Sequence, residues 1–253
     1  MSDPQWAGAR TLARSGCLYL VPTLLGSVAP ATSLPGEVVE LVRGLDAFVA
    51  ESAKTARRFL KGIGYGRPLS ETRIEELNEH TPLTLLPALL APVKAGRRIG
   101  LLSEAGCPAI ADPGASLVAR AHAEGLRVIP LVGPSSLLLA LMASGCNGQR
   151  FCFHGYLPVN RRARETAIRD LETQSLRDAS AHLFIETPYR NSRLLEALLV
   201  VCRPDTRLCL ATDLTLSSES IATRRVAEWR AALPEIDRRP TVFILQAAGL
   251  TSG

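Results

Sequence analysis

The chain has 253 residues, 47% of them apolar and 21% charged, with a formal net charge of +5. That length suits two small domains with real cores, and the charge permits a polyanionic partner without demanding one. No apolar run approaches the ~18–20 residues a membrane span needs.

Residues 1–16 lack the apolar stretch of a secretory signal and are expected to form a flexible tail. A buried strand is expected at Cys17–Val21, stopped by Pro22, then a helix over 34–45 with Val38, Val39, Leu41 and Val42 on its apolar side. Residues 46–50 read as a second strand. Residues 53–61 read as a basic helix ended by Gly62 and Gly64, since glycine tolerates left-handed C-cap geometry. Residues 74–80 are weakly periodic, and 85–94 carry a helical stripe despite Pro87 and Pro92. Residues 98–103 form a third strand whose continuous apolar run suits a parallel sheet covered on both faces. A turn-rich stretch, 104–113, leads to a helix over 115–124, ended by Gly125, and a strand over 126–132. Residues 133–136 (GPSS) cap a helix running to about Ser144, proline presetting the first-turn φ and serine accepting an orphan N–H.

Beyond Gly133 the strict alternation gives way to a half expected to be richer in strands. Strands are expected at 150–155, 181–186, 207–212 and 241–246. A charged helix over 161–174 has a thin stripe at Ala167, Ile168 and Leu171. Residues 191–202 are amphipathic, with Leu194, Leu195, Leu198 and Val201 on one face. The expected organisation is a tail over 1–16, an N-terminal α/β domain over 17–132 and a C-terminal α/β domain over 133–253.

The six cysteines show neither a CxxC pair nor a His-partnered metal spacing. They read as reduced thiols of a cytoplasmic protein, with neither a disulfide framework nor a bound metal. The cationic clusters Arg57, Arg58 and Lys61, and Arg161, Arg162 and Arg164, read either as solvated helix faces or as contacts to phosphate, which would make binding salt-sensitive.

Ligands of open α/β sheets bind beyond the C-terminal strand ends, and three such ends carry Gly, Pro and small polar residues: 21–26 (VPTLLG), 102–114 (LSEAGCPAIADPG) and 130–136 (PLVGPSS). Neither GxGxxG nor GxxxxGK[ST] occurs, so neither a dinucleotide site nor a P-loop is signalled. With 18–23 (LYLVPT), Ala50 and Glu51, 155–158 (GYLP), 185–190 (IETPYR) and 241–249, these stretches resemble the small-subunit ribosomal RNA cytidine 2′-O-methyltransferase family, a branch of the tetrapyrrole methylases. The resemblance covers 18–249. It implies a two-domain tetrapyrrole-methylase-like α/β fold, each domain a mixed or parallel sheet flanked by helices. It also implies a homodimer with S-adenosylmethionine in the cleft between the domains. By position, Pro22, Leu102, Ser103, Glu104, Ala105, Gly106 and Ile110 would line the donor site from the first domain. Ser135 and Ser136 would contribute at the hinge, and Ile185, Ala211, Thr212, Pro240 and Thr241 from the second domain. The chain departs from the family pattern at 52–54 (SAK for DTR), 104–108 (EAGCP for DAGTP) and 78–81 (NEHT for HEHN), and it stops short of the family's further C-terminal segment.

A ribose hydroxyl needs a base to take its proton. Glu51, Lys54 and Glu104 are candidates at expected strand ends, and His80 is the histidine that matches a family position. Asp112, ahead of Pro113 and Gly114, reads as a turn residue; Glu186 as structural or substrate-contacting. His122 and His182 read as surface residues, and His154 as able to face a cleft. Three functions stay open: methylation of ribosomal RNA, methylation of a small tetrapyrrole-like molecule, and non-catalytic binding of RNA or S-adenosylmethionine.

Overall fold

A computed structural model describes residues 16–248. The tail expected over 1–16, Gly16 apart, and Gly249 lie outside the described residues. The chain divides into two units, Met1–Pro134 and Ser135–Gly253, each holding one five-stranded sheet among the described residues.

In the first unit, strands β1 (Cys17–Val21), β2 (Ala47–Ala50), β3 (Arg73–Glu76), β4 (Arg98–Leu102) and β5 (Arg127–Pro130) alternate with helices α1 (Gly36–Arg43), α2 (Ala53–Gly62), α3 (Leu86–Lys94) and α4 (Gly114–Ala123). The sheet order is β3-β2-β4-β1-β5, with every neighbouring pair parallel. Both faces are covered. On one, Leu18, Val49, Ile99 and Leu101 pack against Leu86, Leu90 and Val93 of α3 and Leu117 of α4. On the other, Val21, Phe48 and Leu102 pack against Val38 and Val42 of α1 and Ala56 and Leu60 of α2. Two-sided burial is why β4 reads as an unbroken apolar run. Gly100 interrupts it for Phe48, whose ring would sit 2.8 Å from any added Cβ.

Some boundaries differ from the pattern. The helix expected over 34–45 begins at Gly36, because Leu34 precedes a proline and Pro35 holds extended N-cap geometry. Pro87 sits in the first turn of α3, where a missing N–H costs nothing, while Pro92 lies inside the helix.

The second unit comprises α5 (Ser136–Ser144), β6 (Phe151–Tyr156), α6 (Arg161–Asp178), β7 (Ala181–Ile185), α7 (Asn191–Val201), β8 (Arg207–Thr212), β9 (Ser220–Arg225), α8 (Val226–Ala231) and β10 (Thr241–Gln246). Its order is β6-β7-β10-β8-β9; β6 and β7 run parallel and the other pairs antiparallel. The core faces α6, α7 and α8: Phe184 and Phe243 stack with ring centroids 5.8 Å apart, over Leu194, Leu198 and Trp229. The two halves are thus equal in number of strands; they differ in strand direction, and the second is richer in strand only through the greater length of its strands. β9 and α8 were not expected, and α6 runs past Gln174 to Asp178, burying Glu172 and Ser175 in its last turns. Ser135 is the N-cap of α5, but its side chain makes no capping hydrogen bond.

Candidate functional site

Parallel strands deliver all their C-terminal ends to one edge. In the first unit that edge collects Pro22 and Thr23 after β1, Glu51 and Ser52 after β2, Leu77 to His80 after β3 and Ser103 to Gly106 after β4. β1 and β4 are neighbours whose following connections leave in opposite directions, β1 toward β2 and β4 toward β5. That is a topological switch point, where such sheets bind ligands. Here the two loops are laced together. The Thr23 amide donates to the Gly106 carbonyl at 2.9 Å and the Gly106 amide to Thr23 at 3.3 Å. The Ser103 hydroxyl donates to the same Gly106 carbonyl at 2.9 Å, and the Thr23 hydroxyl to the Ser103 carbonyl at 3.3 Å.

Beyond Gly106 (φ 74) the loop holds two more residues in the left-handed region, Ala109 (φ 66) and Ala111 (φ 59). Each costs an alanine about 1–2 kcal/mol, and such strain collects at ligand sites. Asp112 holds it in place: its carboxylate accepts from the Ala109 amide at 2.9 Å and from the Gly114 amide at 2.7 Å. The turn role read from sequence is the one seen. Burial raises the Asp112 pKa, outweighing the two amides. Ile110 is left exposed between the two strained alanines.

Three carboxylates act on a fourth at this edge. Burial, then the charges of Glu104, Asp112 and Glu79, raise the Glu51 pKa above its usual 4.5. Glu104 is exposed and accepts from the Thr55 hydroxyl at 3.4 Å. Lys54 lies exposed in the first turn of α2, behind an N-cap in which Ser52 accepts from the Thr55 amide. His80 stands out in solvent, its Nε2 3.5 Å from Glu79.

In the second unit, Ile185 ends β7, Ala211 and Thr212 end β8, and Pro240 and Thr241 lead into β10, so the pairings Ile185–Val242 and Thr212–Thr241 place them on one edge. Ala211, Thr212 and Thr241 are buried, and the two threonine hydroxyls are 3.1 Å apart. What they offer outward is backbone. Ser135 and Ser136 open α5, half-buried. Among the cations, Arg57 and Arg58 are exposed on α2 and Arg162 on α6. Arg161 pairs with Glu165 at 2.8 Å, and Arg164 turns back to the Val159 carbonyl at 3.4 Å.

Sequence reasoning missed a relay in this unit. His182, read as a surface residue, is fully buried, because its place in β7 faces inward beside Phe184. The burial is tolerable because both ring nitrogens are engaged. Nε2 lies 3.0 Å from the Ser180 hydroxyl and Nδ1 2.8 Å from His154 Nε2. Ser180 donates in turn to Asp178. Since the serine proton goes to Asp178, the network assigns both histidines the Nε2–H tautomer. Burial lowers both histidine pKa values, and the charge of His154 lowers that of His182 further. Above pH ~6.5 the rings are neutral in folded and unfolded chain alike. Below it the unfolded chain takes up protons that the folded chain refuses, so stability falls as pH drops through that value. His182→Gln, followed by urea denaturation from pH 8 to pH 5, is expected to flatten this acid-side decline; an unaltered slope would remove the pair as its cause.

The comparisons give this geometry a lineage. Ribosomal RNA small subunit methyltransferase I of Escherichia coli is 32% identical over 224 residues, 88% of this chain and 74% of that protein. The chain belongs to the ribosomal RNA small subunit methyltransferase I family. The proteins of that name from Xylella fastidiosa, 31% identical over 92% of the chain and 82% of their own length, and from Haemophilus influenzae, 28% identical over 92% and 79%, are similar along the same span. No family model matches the chain. In three dimensions it resembles the methyltransferase CobJ, with a TM-score of 0.61 and 21% identity over 92% of this chain and 94% of that one. That likeness bears out the tetrapyrrole-methylase-like fold, and the family membership bears out the reading of the chain as a methyltransferase. Among the described residues no helix is long and apolar enough to cross a membrane, and no cluster of three or more His, Cys, Asp or Glu side chains could hold a metal ion.

Proposed function

We propose that the chain methylates a ribose 2′-hydroxyl of small-subunit ribosomal RNA, with S-adenosylmethionine as donor and Glu51 as the base. The observation that carries the reading is the edge where Glu51, its pKa raised by burial and by Glu104 and Asp112, stands beside a laced, strained loop of small residues. Bound there, S-adenosylmethionine supplies a methyl group already activated by its sulfonium. The residues present fit such a cation: Glu51, Glu104 and Asp112 attract it, and Pro22, Ala105, Gly106 and Ile110 leave room for a flat apolar ring. The backbone of Leu102 to Gly106 would hold its polar groups.

The protein's part is alignment of the acceptor and removal of one proton. Glu51 is the desolvated member of the candidate bases, and its raised pKa brings it closer to the hydroxyl it must deprotonate. Lys54 and His80 are exposed, and a lysine acts as a base only when desolvated. Both suit a phosphate instead, with Arg57, Arg58, Arg161 and Arg162; Arg164, held by its own chain, would position the start of α6.

The protein acts in the cytoplasm as a homodimer. Helix α5 is apolar all round, and while Ala140 and Leu141 are buried, Leu138 and Met142 are 53% and 79% exposed. An exposed apolar stripe of this kind suits a second copy. Incubating the protein with small ribosomal subunits from a strain lacking this activity, with methyl-labelled donor, is expected to place label on one ribose of the small-subunit RNA. Label on a tetrapyrrole, or donor binding with no transfer to RNA, would overturn the assignment.

A further inference from the structure

The edge of the second unit that carries Ile185, Thr212 and Thr241 also carries an aromatic ring that the mechanism above does not use. Tyr189 lies in a single 3-10 turn, Pro188–Arg190, four residues past the end of β7, and is 66% exposed. Lone exposed aromatics are ordinary. This one is held on a fixed mount. The Arg190 guanidinium sits 5.4 Å from its ring centroid. Arg190 is itself locked, its Nε 2.8 Å from the Thr187 hydroxyl and 3.1 Å from Glu186, whose carboxylate is buried. The turn is stapled from behind: the Arg238 amide donates to the Pro188 carbonyl at 3.1 Å, and Asn191 Nδ2 to the Arg239 carbonyl at 2.6 Å. Arg238 adopts a left-handed φ of 56° to reach that position, leaving its side chain in solvent. Arg193 is exposed in the first turn of α7. At the same edge Tyr156, in register with Ile185, exposes a second ring five residues before the arginines that open α6.

We infer that Tyr189, backed by Arg190 and flanked by Arg193 and Arg238, is a stacking platform for an unpaired base of the RNA acceptor. This rests on the reading of RNA as substrate and adds the form in which it is recognised. Aromatic faces among cations bind single strands, because every base has a face to stack and the backbone is drawn by charge. A duplex hides those faces and would meet the cations alone.

The test uses the full chain and fluorescence anisotropy, with a short unstructured RNA oligonucleotide free and annealed to its complement. Tyr189→Ala and Tyr189→Leu are expected to weaken single-strand binding by ~5- to 150-fold, the range for one stacked base. Tyr189→Phe should stay within ~2-fold of the parent, and duplex binding should be the same in all four proteins. Arg238→Ser should weaken both forms and lower the salt slope by about one. The platform is overturned if the parent protein binds duplex as tightly as single strand, or if Tyr189→Ala holds the single strand as the parent does. Methyl transfer to ribosomal subunits is read in parallel. Tyr189-dependent binding without transfer would leave the platform standing and remove the proposed reaction, whereas transfer unaffected by Tyr189→Ala, with binding unchanged, would do the opposite.

Discussion

Glu51→Gln is expected to lower the rate of methyl transfer to RNA by ~10²–10⁴-fold, the range for loss of a positioned general base, with a far smaller loss of donor affinity from the removal of one of the charges that attract the sulfonium. Glutamine keeps the shape and the hydrogen-bonding oxygen but cannot accept the proton. The substitution should leave the fold as stable or more so. A carboxylate whose pKa is raised on folding favours the folded state only while protonated, and that contribution is lost as pH rises through the raised value. At neutral pH the ionised Glu51 therefore opposes folding, by burial and by the nearby charges of Glu104 and Asp112, and glutamine removes that opposition. In the parent the acid limb of the pH–rate profile should lie above the usual carboxylate pKa of 4.5; in the variant it should be gone. Single-turnover rates across pH, with a thermal melt of each protein, measure all of this. A turnover rate unchanged by the substitution removes Glu51 from the mechanism, and a matching loss in Lys54→Gln would transfer the role.

A second large effect is expected at Asp112, which touches no reacting atom. Asp112→Ala removes the acceptor for the Ala109 and Gly114 amides. Each hydrogen bond to a charged group contributes about 1.5–3 kcal/mol, and the loop it restrains holds two alanines in a backbone region they otherwise avoid. A loss of about 2–4 kcal/mol in stability follows, non-additivity included. The released loop should also bind S-adenosylmethionine at least ~10-fold more weakly, since a site that must reorder on binding loses that ordering cost from its affinity. Asp112→Asn, which retains one acceptor oxygen, should fall between. Urea denaturation and calorimetric titration with donor distinguish the cases. A stable Asp112→Ala protein with unweakened donor binding would mean that the strained loop is no part of the donor site.

Four strands of the first unit's sheet were legible because two-sided burial writes itself as apolar runs, as in 98–102; the edge strand β3, with Arg73, Glu75 and Glu76 among its four residues, reads only as weakly periodic. The loops proposed to hold the donor stand out in the sequence by their small residues, and those after β1 and β4 share one edge because the strands are parallel. What escaped has physical reasons. β9, with Ser220, Thr223, Arg224 and Arg225 among its six residues, is an edge strand with little apolar pattern to read. α8 is six residues long and depends on Trp229 reaching the core. His182 was misplaced because a histidine at the start of a strand looks solvated until its partners are known, and His154 comes to it from another strand, 28 positions away. The charge coupling around Glu51 joins positions 51, 79, 104 and 112, a neighbourhood that no local window contains. Tyr189 was visible as a motif residue, but its exposure and its arginine mount belong to the folded turn.

The placement of β1 shapes how the protein is made. Its two partners, β4 and β5, begin at residues 98 and 127, so among the described strands of this sheet the one made earliest is enclosed last. At ~5–20 residues per second, the segment around Leu18 and Leu20 waits on the order of ten seconds with both edges unpaired. During that interval β2, β3 and their helices can assemble on the growing chain, and the sheet closes only when β4 slides between β2 and β1. Synthesis speed across residues 22–130 therefore sets how long an apolar, β-prone segment is open to other nascent chains, and slow translation there should lower the yield of folded protein without altering a single native contact.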